Sequence, residues 1–563
     1  MVLVSLSFAF WRPRLGARWF SFLERKLAPL ARRKPLAVLT AGFAAIAARL
    51  AVLPILPVPH PFVPDEFSFL LAANTFASGR LTNPAHPMWI HFETLHVLMK
   101  PTFMSMYPPA QGLFLAAGKV ATGLPFAGVL LSAGLMCAAI TWMLQGWFSP
   151  GWAFLGGMIA VMRFSVFSYW VNSYWGGTVA ALGGALVLGA LPRILRFERP
   201  ADAVWMGLGL AILANSRPYE GLVFSLPVAV VLFAWLSKKR GAALGQAIRR
   251  AIAPLTLVVL LAGAGMGYYF WRVTGNPFHM PQEVNREHYA VAPYFFWQSP
   301  RPAPVYHHQA LRDFYLGNEM GFYREGRTVL GDLGIEIVRY VHFWCFFLGP
   351  LLTLPLLLAI VIVPRDSVWA RWDWRMRFLV VATAVSLGGL AVEVFYFDHY
   401  AAPMTCLILA LVIEALRRVR AWRPHGRPVG RLITRAVPAI CLLMLVVRAG
   451  ATTLHLPITP AWPPMPYNSV NQITDFTRIN HELNAYPGNH LVLMRYVHDV
   501  KAKGLWVYNE NGDIDREREV WAWDMGPEKN RELIRYYKNR DVWLVVPEGS
   551  HVKLSRYTEP PPH

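Results

Sequence analysis

Charge is scarce in this chain, and acid is scarcer than base. Of its 563 residues only 15% are Asp, Glu, Lys or Arg, while 55% are hydrophobic; soluble domains run near about 25% and about 45–50%. So few charges cannot wet the surface of a soluble fold of this size, and the mean hydropathy of +0.34 agrees with a membrane protein. Cysteine is nearly absent. Cys137, Cys345, Cys406 and Cys441 all lie in apolar runs, so no disulfide framework is implied and redox compartment is left open. No small-residue cleavage site follows Arg12, Arg14 and Arg18, which argues against a removable signal peptide. There is no internal repeat and no low-complexity tract. Asp and Glu number 33 against 54 Lys and Arg, a net charge of +21. In a soluble protein that balance points to nucleic acid; here its placement points to a membrane surface, and no nucleic-acid partner is expected.

What the chain has instead is long apolar runs. Residues 36–57 are long enough to cross a ~30 Å hydrocarbon core. Further runs at 125–147, 152–170, 177–195, 201–216, 218–237, 252–273, 337–363, 378–397, 400–416 and 433–451 bring the expected number of spans to about 11. Residues 1–35 carry eight Lys or Arg against one acid, Glu24, with Trp11, Trp19 and Phe20 among them; this reads as an amphipathic cytoplasmic segment on anionic lipid. Together with 193–199, 238–250, 364–377 and 417–435 it holds half of the chain's 54 basic residues. The stretch 58–124 holds only Arg80, Lys100 and Lys119. That asymmetry predicts a cytoplasmic N-terminus, outer loops at 58–124 and 274–336, and an external C-terminal part. The 22 Trp and 21 Tyr fit interfacial belts.

The expected fold class is therefore mainly α. A polytopic helix bundle over 36–452 follows the N-terminal segment, and a small extracytoplasmic α/β domain over 453–563 follows the bundle. In that domain residues 490–496, 520–524 and 541–546 read as buried strands, with helices at 471–485 and 527–539, which predicts a short parallel or mixed sheet. Asn509 to Asp515 alternates oxygen-bearing side chains as calcium loops do, but Asn511-Gly512 is the simpler signal of a hairpin turn.

Titratable side chains concentrate in the first outer loop: His60, Asp65, Glu66, His86, His91, Glu93, His96 and Lys100. Acid/base groups gathered between membrane segments are where chemistry is expected. From Asp65 to Arg80 the spacing is helical, with Phe67, Leu70, Leu71 and Phe76 on one side and Ser68, Asn74 and Ser78 on the other, which predicts a helix lying in the membrane interface. The apolar run after Tyr107-Pro108-Pro109 is too short to span and reads as re-entrant or interfacial. The loop 274–336, aromatic and holding His307-His308, reads as a lid or substrate cleft.

The order of short motifs along this topology resembles the integral-membrane C-type (GT-C) glycosyltransferases, the class of protein O-mannosyltransferases and the aminoarabinose transferase of lipid A. The first span ends near Arg49, and Pro64-Asp65-Glu66 opens the outer loop. Tyr107-Pro108-Pro109 precedes the next apolar run. Ser216-Arg217-Pro218 interrupts a mid-chain span, and a late span opens on His399, Tyr400 and Pro403. The resemblance covers roughly residues 30–420. Lys100 departs from it, since it is not adjacent to Pro108-Pro109. Trp521-Ala522-Trp523-Asp524 is similar only superficially to the Trp-Trp-Asp of oligosaccharyltransferases.

The resemblance implies transfer of a sugar from a polyprenyl-phosphate carrier to a lipid, glycan or protein acceptor outside the cytoplasm, with inversion at the anomeric carbon. Such a reaction needs a carboxylate at the acceptor hydroxyl and positive charge at the departing phosphate. Asp65 is the expected base; Glu66 either orients the acceptor or binds a cation. The plainer reading is that Asp65 caps a helix and Glu66 favours its dipole. Arg49, Arg217, Arg272 and His399 are the candidates for the phosphate, since Arg within an apolar run usually faces a polar cavity, although Arg272 could equally snorkel. Tyr107, His91, Glu93 and Tyr400 are the candidate substrate contacts. His91, Glu93 and His96 lack a recognised ligand spacing; no metal is assigned, and a divalent cation is the one cofactor left open. A glycan polymerase or ligase working from 274–336, and a non-enzymatic lipid or glycan transporter, are the alternatives; the latter predicts paired inverted repeats.

Overall fold

A computed structural model of the chain describes residues 7–8, 10–362, 373–451, 453–458, 465–470, 473–498, 506–548 and 551–558. Among them, helix dominates. Helix α1 (Ala17–Arg32) leads into α2 (Lys34–Ala51), and a loop then enters α3 (Pro64–Ala77). A small antiparallel sheet of β1 (Asn83–Pro84), β2 (Val97–Leu98) and β3 (Thr102–Ser105), in the order β1-β3-β2, follows. Next come α4 (Pro109–Thr122), α5 (Pro125–Trp147), α6 (Pro150–Phe164), α7 (Thr178–Phe197), α8 (Pro200–Ala214) and α9 (Pro218–Ser237). Proline sits at the first positions of most of these, where its missing N–H costs nothing and its fixed φ suits a helix start. Helix α10 (Gly241–Thr274), α11 (Pro281–Tyr289), α12 (Val329–Ile362), α13 (Trp374–Ala391), α14 (Thr405–Ala421) and α15 (Val429–Ala449) complete the bundle.

Eight of these helices are long and apolar enough to cross a membrane: α2, α5, α7, α9, α10, α12, α13 and α15. The chain is a multi-pass membrane protein, and the count of 11 is not confirmed among the described residues. The expected spans at 152–170, 201–216 and 400–416 are α6, α8 and α14, of 15, 15 and 17 residues. At 1.5 Å per residue these reach only about 22–26 Å. Each is cut short where the backbone leaves the helix, at Ser165, Asn215 and before Thr405. Most of the basic stretch expected at 364–377 lies outside the described residues, as does residue 452 at the expected domain boundary. The bundle core is built from α5, α6, α7 and α14, with Ile140, Leu188 and Ile413 fully enclosed.

Helix α16 (Asp475–Leu483), β4 (Asn489–Met494), β5 (Glu519–Trp523), α17 (Pro527–Tyr536), β6 (Arg540–Glu548) and β7 (His551–Arg556) form the C-terminal α/β unit. Its sheet runs β5-β4-β6-β7. Strand β4 is parallel to both neighbours, Leu491 pairing with Val520 on one side and Val542 on the other, and β7 returns antiparallel on β6. The mixed sheet and its first three strands agree with expectation. The fourth strand was missed, because HVKLSR is mostly polar and covers an edge. The hairpin expected at Asn511-Gly512 does not form: β4 and β5 run in the same direction, and a tight hairpin joins only antiparallel strands. Gly512 instead lies against the Asn83 side chain, where a Cβ would come within 2.2 Å.

Helix α3 is not an interfacial helix. Its residues 66–73 are all buried, since β3 and α4 pack beside it and the C-terminal unit lies over it. Phe67 stacks on Tyr508 at 4.3 Å between ring centroids and meets Phe476 edge-on. The polar positions that suggested a wet face are used internally. Ser68 Oγ donates to the His96 carbonyl and bonds Ser105 Oγ, and Asn74 Nδ2 donates to the Glu510 carbonyl.

Candidate active site

The first turn of α3 presents two acids in opposite senses. Pro64 starts the helix and Val63 precedes it in extended backbone, so Asp65 and Glu66 leave the turn at different angles. Glu66 turns inward. Its Oε2 accepts the backbone N–H groups of Phe62 and Val63 at 2.8 and 3.1 Å, and its Oε1 accepts the N–H of Tyr174 at 2.8 Å. Burial pushes this carboxyl up to about 7 against the pull of those three donors. Glu66, rather than Asp65, therefore satisfies the orphan N–H groups at the helix start, and it pins the loop before α7 to the same point.

Asp65 takes different partners. The Tyr107 hydroxyl donates to its Oδ1, and His96 Nδ1 lies 3.5 Å from its Oδ2. Burial raises the Asp65 carboxyl, but the neighbouring His96 imidazole and the Tyr107 hydroxyl outweigh it, holding Asp65 well below the usual carboxylate range. His96 owes its position to a left-handed backbone (φ 62°) just before β2, with its carbonyl bound by Ser68 and by the Met106 N–H.

Four more breaks between helices end in the same region. Tyr107 precedes the prolines that start α4. The Ala110 N–H donates to the Asn215 carbonyl, which ties that start to the break between α8 and α9. There Pro218 begins α9, and Arg217 lies over the Tyr400 ring at 4.1 Å and 3.6 Å from Glu220. Burial lowers the Arg217 guanidinium, yet Glu220 and Tyr400 beside it raise it above its ordinary value, so it stays cationic. His399, 1% exposed, sits in the turn between α13 and α14; its Nδ1 is 3.1 Å from the Tyr169 hydroxyl and its ring is 4.7 Å from Trp175. Burial, and next the charge of Arg217, press its imidazole far below the usual range. It is a neutral hydrogen-bonding group beside the cationic Arg217. Asp398 beside it is pushed up to about 7 by burial, opposed by the Tyr396 hydroxyl.

Asp65, Tyr107, Arg217, His399 and Tyr400 are thus brought together, joined by His96, Tyr169 and Trp175. The last two were missed because neither stands in a polar stretch; only the helix-breaking run SYWVNSYWGG around them hinted at an irregular segment. Other candidates lie apart. Arg49 is fully buried in α2; its Nη2 donates to the Pro57 carbonyl at 3.1 Å and it faces Phe126, with Nε and Nη1 unpartnered among the described residues. Arg272 is exposed at the end of α10 with Nη1 3.2 Å from the Tyr268 hydroxyl. Glu93 is enclosed by other partners: Tyr289 donates to Oε1 at 2.8 Å, and His307 Nδ1 and His308 Nε2 lie 2.7 and 3.5 Å from Oε2. This carboxylate fastens 274–336 to the first loop. Trp523 Nε1 donates to the Glu93 carbonyl at 2.6 Å, adding the C-terminal unit to the same joint. His91 is buried beside it.

Neither family models nor curated proteins match the chain; solved structures do. Its fold is similar to that of ArnT from Cupriavidus metallidurans. The apo ArnT structure aligns with 89% of this chain and 92% of its own, at 13% identity and a TM-score of 0.47; the ArnT structure bound to undecaprenyl phosphate aligns equally at 14% identity. The Archaeoglobus fulgidus oligosaccharyltransferase in complex with zinc and sulfate aligns with 91% of this chain and 67% of its own, at 11% identity and a TM-score of 0.44. ArnT and this oligosaccharyltransferase are both C-type glycosyltransferases. Among the described residues no three His, Cys, Asp or Glu side chains are arranged to hold a metal, and Glu66 could ligate one only by releasing backbone N–H groups.

Proposed function

We propose that this chain transfers a glycosyl unit from a polyprenyl-phosphate carrier to an acceptor hydroxyl on a lipid, glycan or protein, at the outer face of a bacterial-type cytoplasmic membrane. In this orientation the N-terminus is cytoplasmic and the C-terminal unit external. The observation that carries the reading is an ionised Asp65, held by Tyr107 and His96, in one cluster with cationic Arg217 and neutral His399. Acceptor oxygen bonds to the anomeric carbon while the bond from that carbon to the phosphate oxygen breaks, and the electron pair leaves on the phosphate. Arg217 meets the charge that grows there, and His399 donates or accepts a hydrogen bond. A carboxylate held this low is a weak base. Asp65 therefore orients the hydroxyl and takes its proton late, when the attacking oxygen has become positive. Glu66 positions Asp65 and does not meet the substrate. The C-terminal unit and 274–336, joined through Glu93, wall the acceptor side.

A polymerase or ligase working from 274–336 would need His307 and His308 at the reacting atoms, but Glu93 and the Ile90 carbonyl engage them. The test is sugar transfer in membranes carrying Asp65→Asn at normal expression. The expected loss is about 10²-fold or more; transfer within a few fold of wild type would reject the assignment.

A further inference from the structure

At the end of the bundle far from Asp65, the chain builds a second polar space. Helix α5 runs from the Asp65 side to Trp147, and α7 runs from the His399 side to Phe197, about 35 and 30 Å by length. Where they end, α2 and α13 begin. These four ends enclose a crevice of about 990 Å³. Five basic side chains line it, Lys34, Arg193, Arg196, Arg199 and Arg375, with one acid, Asp202. Arg193 is already engaged, its guanidinium donating to the carbonyls of Gly189 and Trp142 and stacking on the Trp142 ring at 4.0 Å. Among the described residues, Lys34, Arg196, Arg199 and Arg375 form no ion pair. Four like charges around one space repel each other unless an anion joins them.

The walls say which anion. Trp142 and Trp147 frame the crevice, as indoles do at headgroup depth. On one flank Leu39 lines it while standing 53% exposed on the outer side of α2, followed one turn on by exposed Phe43; this apolar strip leads from the crevice along the membrane-facing surface. A small soluble anion has no use for it. We propose that the crevice binds the phosphodiester headgroup of an anionic phospholipid, with Lys34, Arg196 and Arg375 on the phosphate oxygens and the acyl chains along Leu39 and Phe43. Phosphate esters between basic helix ends at this depth are a physically favoured arrangement. The site is independent of sugar transfer and holds whatever the reaction at Asp65 proves to be.

Native mass spectrometry of the full-length protein in neutral detergent, titrated with diphosphatidylglycerol, tests it. Wild type is expected to retain the lipid, and the double variant Arg196→Gln/Arg375→Gln to bind it about 25-fold more weakly, from roughly fivefold per basic residue. Lys34→Gln alone, the milder change should the double variant misfold, is expected to weaken binding about fivefold; Arg301→Gln, in the opposite outer loop, should leave it unchanged. Equal binding by wild type and both crevice variants would overturn the proposal. So would equal retention of phosphatidylcholine, which carries no net charge, or displacement of the lipid by equimolar inorganic phosphate, which would make the ligand a free anion.

Discussion

Glu66 separates positioning from catalysis. Replacing it with Gln keeps the shape and removes the charge. In the folded protein this carboxyl is raised from 4.5 to about 7 by burial, so the fold binds its proton more tightly than the unfolded chain does. Stability from this group is therefore complete below about pH 4.5 and lost as pH rises through 7. Between pH 5.5 and 7 the wild type should lose on the order of 2 kcal/mol, at ~1.36 kcal/mol per unit, and little more above 7. Glu66→Gln has no proton to lose. It still leaves one or more of the N–H groups of Phe62, Val63 and Tyr174 without an acceptor, costing about 1–3 kcal/mol at every pH. The two proteins should thus differ most at pH 5.5 and draw together by pH 8.5. Thermal inactivation midpoints of detergent-solubilised protein across that range measure the difference, and transfer assays on the same samples show whether activity follows folded protein. A gap that does not change with pH would refute the buried, raised carboxyl. Abolished transfer in a variant as stable as wild type would place Glu66 at the reacting atoms and refute its positioning role.

Tyr107→Phe removes the hydroxyl that holds Asp65 down. The Asp65 carboxyl should rise, so the acid limb of the transfer pH profile should move upward by a measurable fraction of a unit, with about a tenfold loss of rate; an unmoved limb would mean that the hydroxyl acts only in packing. Gly184→Ala places a Cβ 2.0 Å from the Pro403 carbonyl oxygen, backbone against backbone. It should cost about 1–3 kcal/mol or more and displace the turn bearing His399, seen as a lower inactivation midpoint together with a loss of transfer. A variant as stable and active as wild type would mean that α7 and this turn do not approach so closely.

Membrane character was legible because it is written in composition and in runs of one residue type, which no tertiary contact can reverse. Asp65, Arg217 and His399 were legible for a related reason: each stands beside a proline or a helix break, and such breaks in apolar sequence must be buried in protein or line a cavity. The number of spans was not legible. Hydropathy does not register where α6 and α8 unwind, and the polar atoms freed there are satisfied by neighbours far along the chain, as at Ala110 and Asn215. The face of α3 was misread for the same reason. Ser68 and Asn74 look like a wet surface until Ser105 and Glu510 arrive from elsewhere to bond them.

By itself, then, the sequence determined that the chain is a helical membrane protein with a small α/β appendage, because period, length and charge distribution are properties of each segment alone. Only the tertiary structure decided that Asp65 meets Tyr107 and His96 while Glu66 turns into the fold, and that Glu93 joins two loops. The same holds for Lys34, Arg196 and Arg375, which share one crevice. Neighbours along the chain are fixed by its order, but a charge's partners, and with them its ionisation and its chemistry, depend on which distant segments close around it.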